Sequence, residues 1–159
     1  MPISVSSSIA ISATVQLVWD VFTDIYQWRE WNPFVMEVTS ISGGNIWAPG
    51  DAFTIRYKTD FTPIQATTRS FVQEVIPGRR IVVTGEVLGS QGTTTYSFTS
   101  FGAKTIVSVT EVFIETESEY RNARITATTE KLLSLLLNGL KNYVEQVGHK
   151  KTKESANTI

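Results

Sequence analysis

Apolar residues near the C-terminus recur at three- and four-residue steps, which is the spacing of one face of an α-helix. The face comprises Leu133, Leu136, Leu137, Leu140, Val144 and Val147, and it is widened by Leu132, Leu135 and Tyr143. This pattern predicts one long helix that is buried over much of its circumference. Acidic residues at 117 and 119 suit a helix start. Because β-branched residues at 125–129 weaken helix propensity, we expect the helix to begin between residues 121 and 130.

Most of the chain before this helix alternates between apolar and polar residues, which is the period of a β-strand. Seven strands are predicted, at residues 3–11, 35–41, 53–61, 66–76, 81–88, 93–101 and 105–115. The turns between them are marked by Gly43–Gly44, Pro77–Gly78, Gly89, Gly92 and Gly102. Turns this short favour an antiparallel meander over the helix-linked crossovers of a parallel sheet.

Two short helical segments are predicted between the first two strands. Thr14 suits the N-cap of the first, whose apolar face is formed by Val15, Val18, Trp19 and Phe22. Asp24 and Gln27 resemble a capping box for the second, which Asn32–Pro33 ends.

The long helix needs a sheet that curves around it, because its apolar face is so broad. The predicted fold is therefore α+β, a seven-stranded curved antiparallel sheet wrapped around a long C-terminal helix, with room for an apolar cavity between them. No repeat or linker interrupts the pattern. We expect a single domain at residues 1–148, followed by a disordered polar tail at residues 149–159.

The sequence Val18-Trp19-Asp20, followed by Asp24, Trp28 and Trp31-Asn32-Pro33, resembles the START-related polyketide cyclase/dehydrase and lipid-transport superfamily. That group includes the pollen-allergen and steroid-transfer folds. The segment 74–81 and the hairpin with Gly102, Thr105 and Val107 are similar to its middle strands, so the resemblance covers about residues 3–147. It implies a helix-grip architecture with a hydrophobic cavity between the sheet and the C-terminal helix. It implies no particular reaction, since the superfamily holds transporters, enzymes, receptors and co-chaperone domains.

The hairpin at residues 101–104 predicts which side chains face this cavity. If Gly102 and Ala103 are the central turn residues, the opposed pairs are Phe98 with Val107, Tyr96 with Val109, and Thr94 with Glu111. The aromatic and aliphatic members then share the inner face, and the small polar residues between them face outward. The strand at 53–61 adds Phe53, Ile55 and Tyr57 to the inner face, whereas the inner face of the strand at 66–76 is left open between two alternations.

Glu111 is the carboxylate predicted on this inner face, where desolvation among aromatic rings would raise its pKa. It either anchors a ligand or transfers a proton, or it is satisfied by Thr94 or a buried arginine and has no ligand role. Trp28 is interpreted as a packing residue that could also close one end of a cavity. The predicted ligand-binding set is Tyr57, Tyr96, Phe98, Val109, Glu111, Phe113, Leu133, Leu136, Leu137 and Leu140.

Charge and composition exclude several classes of function. The 159 residues carry 14 basic and 15 acidic side chains, and the basic cluster Lys150, Lys151 and Lys153 lies in the polar tail, so we expect no nucleic-acid partner. No apolar run approaches the ~20 residues that span a bilayer, and the N-terminus lacks the features of a signal peptide. We therefore expect no integral membrane segment and a cytoplasmic location by default.

The reactive side chains are few. The chain has no cysteine, which excludes disulfides and thiol chemistry, and its one histidine, His149, lies in the tail. There is no metal-ligand spacing and no glycine-rich phosphate loop, so we expect no metal and no cofactor. Any catalysis would depend on Glu111, Tyr57, Tyr96 or an arginine.

Three functions follow from these observations, and the oligomeric state, monomer or dimer, is left open. The first is binding or transport of a small hydrophobic or lipid-like molecule, such as an isoprenoid, fatty acyl, steroid-like or polyketide compound. The second is a polyketide cyclase/dehydratase-type enzyme, a lyase or isomerase, that uses the same cavity. The third is a protein-interaction domain with a filled core, which a cavity below about 300 Å³ would favour.

Overall fold

The computed structural model describes residues 2–41, 46–59, 62–87 and 90–157. The elements in chain order are β1 (Ile3–Ile11), α1 (Val15–Thr23), a 3-10 turn (Ile25–Gln27), α2 (Trp28–Trp31), β2 (Val35–Ser40), β3 (Ala52–Thr59), β4 (Thr62–Ile76), β5 (Arg80–Val87), β6 (Ser90–Phe101), β7 (Lys104–Phe113) and α3 (Glu119–Asn157). The predicted turn at Gly43–Gly44, the turn residue Gly89 and the predicted strand ends Phe61 and Leu88 lie outside the described residues.

The strands form one antiparallel sheet in the order β1-β7-β6-β5-β4-β3-β2. Consecutive strands from β2 to β7 are neighbours, as short turns require, and β1 closes the series by pairing with β7. The inner face of the sheet packs on α3, whose Leu133, Leu137, Leu140 and Val144 are buried. This arrangement confirms the predicted α+β helix-grip fold.

The long helix begins earlier than the sequence predicts. Its first residue is Glu119, and the Ser118 hydroxyl oxygen caps it by accepting the backbone N–H of Arg121 at 3.1 Å. Asn122 adds a second tie, because its Oδ1 accepts hydrogen bonds from both the backbone N–H and the hydroxyl of Thr116. These contacts offset the weak helix propensity of the β-branched residues that follow.

The helix also continues further than predicted. Residues 149–157, which we expected to belong to a disordered tail, extend α3 to Asn157. The segment is rich in lysine, which is a good helix former, and it extends an existing helix without the cost of a new nucleus. No helix in the described part of the chain is long and apolar enough to cross a membrane.

A bulge in β4 resolves the inner face that the sequence leaves open. Val72 pairs with Val83 and Glu74 pairs with Val82, so Gln73 is an extra residue in β4. Val72 is buried before the bulge and Val75 packs on the core after it, while Phe71 and Ile76 are exposed. This one extra residue therefore reverses, halfway along β4, which of the alternating side chains face inward.

The predicted capping box at Asp24 and Gln27 is wrong. Asp24 makes no side-chain capping hydrogen bond, and a 3-10 turn takes the place of the predicted helix start.

The long helix α3 packs closely on α2 at Gly139. A Cβ atom built on Gly139 would collide with the carbonyl oxygen of Trp31. Glycine at this position allows α3 and α2 to approach closely.

Candidate functional site

A cavity of about 110 Å³ lies between the inner face of the sheet and the first half of α3. Five aromatic side chains line it, those of Trp28, Phe34, Phe53, Tyr57 and Tyr96. Aliphatic walls come from Val35, Ile55, Val83, Leu132, Leu133 and Leu136, and polar groups from Asn32, Thr68, Ser70, Glu86, Thr94 and Glu111. The cavity is thus mainly apolar with a small number of polar groups, which is the usual composition of a small-molecule site.

The β6–β7 hairpin brings two of the polar groups to the cavity. Gly102 adopts the positive φ of 61° that a tight turn needs, and the register pairs Thr94 with Glu111 and Tyr96 with Val109, as predicted. Because alternate residues of a strand face the same side, Tyr96 and Glu111 both project onto the inner face. The hairpin therefore places a phenol and a carboxyl group in one apolar space.

Glu111 is an acid in a largely apolar environment. The residue is 5% exposed, and its Oε1 accepts a 2.6 Å hydrogen bond from the Thr94 hydroxyl. Burial raises the pKa of Glu111 to about 7, and the hydrogen bond from Thr94 opposes that rise. The second carboxyl oxygen makes no hydrogen bond to the described residues. Near neutral pH the group can therefore accept or donate a proton within the cavity.

Two residues that line the cavity carry hydrogen-bond donors. Burial, together with the charge of Glu111, raises the pKa of Tyr96 well above its ordinary value, so the phenol keeps its proton. Asn32 is 1% exposed, and its Oδ1 accepts the backbone N–H of Phe34. Its Nδ2 is buried without a hydrogen-bond partner among the described residues. A buried donor left unpaired costs about 1–3 kcal/mol, so an acceptor brought into the cavity would be stabilised there.

The structure divides the predicted ligand-binding set into two groups. Tyr57, Tyr96, Glu111, Leu133 and Leu136 line the cavity. The others are buried but do not line it, namely Phe98, Val109, Phe113, Leu137 and Leu140. Phe98 illustrates the reason, because its ring packs edge-on against Trp19 of α1 at a centroid distance of 5.2 Å and also against Phe22. The short helices fill that end of the sheet, and the space remains at the other end.

The sequence did not identify Asn32 as a site residue. The sequence places Asn32 in a helix end at Asn32–Pro33 and in the family resemblance, and nothing local indicates that its side chain lines the cavity. Trp28, interpreted from the sequence as a packing residue, is buried and also forms part of the cavity wall, and its indole N–H donates to the Phe22 carbonyl oxygen at 2.7 Å. Among the described residues, no group of three or more His, Cys, Asp or Glu side chains could hold a metal ion.

A family model described as polyketide cyclase / dehydrase and lipid transport matches residues 2–145. The chain belongs to this family. The match covers both short helices, the whole sheet and most of α3, so every residue that lines the cavity lies within it. The family includes both polyketide cyclase/dehydrase and ligand-binding members, so membership does not by itself select a function.

Solved structures agree with the family assignment at the level of the fold. The Zhui aromatase/cyclase from Streptomyces sp. R1128 has a TM-score of 0.73 at 16% identity, covering 92% of this chain and 95% of its own. A START superfamily protein from Mycobacterium smegmatis has a TM-score of 0.69 at 16% identity, covering 91% and 98%. Ara h 8.0201 has a TM-score of 0.71 at 6% identity, also covering 91% and 98%. No curated protein sequence matches the chain significantly.

Proposed function

We propose that the protein binds a small, largely apolar molecule in the cavity between the sheet and α3. The observation that carries this proposal is an apolar lining that contains a buried donor, Nδ2 of Asn32, without a hydrogen-bond partner among the described residues. The same lining includes Glu111, whose Oε1 accepts from Thr94 and whose other oxygen makes no hydrogen bond to those residues. A filled structural core normally satisfies its buried polar groups, so unpaired ones at a cavity favour an occupant. Burial of the apolar part of that occupant would supply most of the affinity.

The size of the cavity limits the ligand. The cavity volume of about 110 Å³ is smaller than the roughly 300 Å³ of the smallest pockets for drug-sized ligands. This small volume argues against a carrier of large lipids and favours the alternative of a protein-interaction domain. An apolar cavity of about 150 Å³ is nevertheless enough to bind benzene in an unrelated protein. The ligand that fits this conformation is therefore of the size of a single ring, and not a steroid-like or long acyl compound.

Binding of one-ring probes to cavity-filled variants tests the proposal. Val83 lines the cavity, whereas its neighbour Val82 is outside the lining, so Val83→Phe fills the space and Val82→Phe is the matched control. Toluene and phenol should raise the melting temperature of the wild type and of Val82→Phe, but not of Val83→Phe. Equal shifts in all three proteins would place the probes elsewhere, and no shift in any of them would support the protein-interaction alternative.

A second candidate, proton transfer on a bound molecule, is favoured by the ionisation of Glu111. A general acid or base works best when its pKa is close to the ambient pH, and burial brings that of Glu111 to about 7. Tyr96 also lines the cavity, where its protonated hydroxyl can donate a hydrogen bond to the bound molecule. This is the cyclase/dehydratase type of chemistry, in which a carboxyl group removes and returns protons on a bound carbonyl compound.

Substitution of Glu111 separates the two candidates. Glu111→Gln keeps the shape of the side chain and can still accept from Thr94, but it cannot exchange a proton with a substrate. An enzyme should lose turnover while it still binds neutral one-ring probes, whereas a carrier has no turnover to lose. Turnover that persists in Glu111→Gln would exclude proton transfer by this residue.

A further inference from the structure

The ionisable groups that line the cavity are all acidic or phenolic. They are Tyr57 on β3, Glu86 on β5, Tyr96 on β6 and Glu111 on β7, and α2 and α3 contribute none. Within the described part of the chain, no Lys, Arg or His side chain reaches the lining. An anionic ligand would therefore meet only like charge and no counter-ion in this site, which argues against a free fatty acid or another carboxylate.

Glu111 has no cationic partner among the residues that the structure describes. Arg29, Arg56, Arg80 and Lys141 each pair with a carboxylate on the surface, and none of these pairs includes Glu111. A buried carboxylate without a counter-charge is strongly disfavoured, and a cation placed beside it removes much of that penalty. None of the described residues supplies such a cation, so a ligand can.

The aromatic lining adds a second preference for positive charge. Trp28, Phe34, Phe53, Tyr57 and Tyr96 surround a space that is wide enough for one ring or a short aliphatic chain. The faces of such rings attract ammonium groups within about 6 Å, and the attraction is strongest where water is excluded. Glu86, which is exposed at the edge of the lining, would favour the approach of a cation.

We propose that the ligand of this cavity is a small organic ammonium ion, which pairs with the carboxylate of Glu111 and presents an oxygen acceptor to Nδ2 of Asn32. The inference rests on the proposed function and names the chemical class of its ligand. The ammonium group donates to the free oxygen of Glu111, since Thr94 already occupies the other oxygen. The acceptor satisfies the amide of Asn32, which is 1% exposed and otherwise unpaired.

A neutral carbonyl compound is the competing occupant. It would accept hydrogen bonds from Asn32, from the Tyr96 hydroxyl and from Glu111 in its protonated form. The two classes differ in the charge state of Glu111 that they require, and therefore in how their affinity changes with pH. An ammonium ion binds the ionised form of Glu111, so its affinity increases as the pH rises. A carbonyl compound binds the protonated form, so its affinity decreases as the pH rises.

Three probes of the same size test the inference on the full-length protein, namely benzylamine, benzyl alcohol and benzoate. Binding is followed by NMR titration at pH 8, with the indole N–H signal of Trp28, which lines the cavity, compared with that of Trp19, which does not. Charge-assisted hydrogen bonds are about twice as strong as neutral ones, so benzylamine should bind about tenfold more tightly than benzyl alcohol. Benzoate should not bind.

The pH dependence gives a test that needs no variant. The ammonium group of benzylamine stays almost fully protonated between about pH 6 and pH 8. Because the pKa of Glu111 is about 7, the ionised fraction of this carboxyl group, and with it the affinity for benzylamine, should rise about tenfold between pH 6 and pH 8. The affinity for benzyl alcohol should change by less than about twofold over the same range.

Glu111→Gln should reduce the affinity for benzylamine to that for benzyl alcohol and leave the affinity for benzyl alcohol unchanged. Glu74→Gln, which removes the same charge from an exposed site on β4 outside the cavity lining, should leave both affinities unchanged. Equal or tighter binding of benzyl alcohol or benzoate at pH 8, or a benzylamine affinity that falls as the pH rises, would overturn the ammonium assignment alone. If none of the three probes shifts the indole N–H signal of Trp28, both this inference and the proposed function are overturned.

Discussion

The Thr94 hydroxyl donates a 2.6 Å hydrogen bond to Oε1 of Glu111, joining β6 and β7 on the inner face of the sheet. The contact occupies one carboxyl oxygen, and the other makes no hydrogen bond to the described residues. It also favours the ionised form of Glu111 against the desolvation that disfavours it. One hydroxyl therefore influences the orientation of the acid as well as its charge.

Replacing Thr94 should alter the ionisation of Glu111. Thr94→Val keeps the shape of the side chain but removes the donor, so the pKa of Glu111 should rise above about 7, and at pH 8 the free energy of unfolding should fall by about 1–3 kcal/mol. Carboxyl NMR shifts and urea unfolding measure the two quantities. Thr95→Val is the control, because Thr95 pairs with Thr110 on the outer face and its loss should cost under about 0.5 kcal/mol. An unchanged pKa of Glu111 in Thr94→Val would show that this hydrogen bond does not influence the ionisation of Glu111.

Glu111 should also make stability depend on pH in a defined direction. Its pKa in the folded protein is raised from 4.5 to about 7, so its stabilising contribution is complete below pH 4.5 and is lost as the pH rises through 7. Glu111→Gln lacks this loss. Between pH 4 and pH 8 the variant should therefore gain up to about 3 kcal/mol in unfolding free energy relative to the wild type. Urea unfolding at several pH values measures the difference, and parallel curves for the two proteins would contradict it.

The part of the site built on β6 and β7 could be predicted because its determinants are local. A two-residue turn at Gly102 and Ala103 sets the register, and the alternation of side chains then places Tyr96 and Glu111 on the inner face. The broad leucine face of α3 similarly specifies that a sheet must cover it. In both cases the information lies within a few residues of the feature that it predicts.

Other parts of the site depend on contacts between distant segments. The extra residue Gln73 in β4 leaves no mark in the sequence, yet it reverses which side chains face inward beyond Val72. Asn32 reaches the cavity because α2 packs beside α3, and that close approach depends on Gly139. Which inner-face side chains line the cavity and which pack in the core likewise depends on how far α1 covers the sheet. The periodicity of the sequence does not encode this coverage.

A surface ion pair fixes α3 to the end of β1, and it should respond to pH in the opposite sense to Glu111. Glu145 Oε1 accepts from Lys141 Nζ at 2.7 Å and from the backbone N–H of Ser12 at 2.9 Å, and these contacts lower the pKa of Glu145. Its stabilising contribution is therefore present at neutral pH and is lost as the pH falls. Because the pair is partly exposed, Glu145→Gln should cost only about 0.5 kcal/mol at pH 7, and less at pH 3 or in high salt. If Glu145→Gln lowered the free energy of unfolding more at pH 3 than at pH 7, the predicted direction of the pH dependence would be wrong.

The two glycines within α3 should respond in opposite ways to alanine. At Gly139 a Cβ atom would collide with the Trp31 carbonyl oxygen, so Gly139→Ala should force α2 and α3 apart and destabilise the protein by about 1–3 kcal/mol. At Gly148 the nearest atom to a new Cβ is Cδ2 of Leu17 at 3.4 Å, an ordinary contact. Gly148→Ala should therefore gain up to about 1 kcal/mol from the higher helix propensity of alanine. Urea unfolding measures both changes. If the two variants shift stability in the same direction, close packing of α2 on α3 at Gly139 is not what requires glycine there.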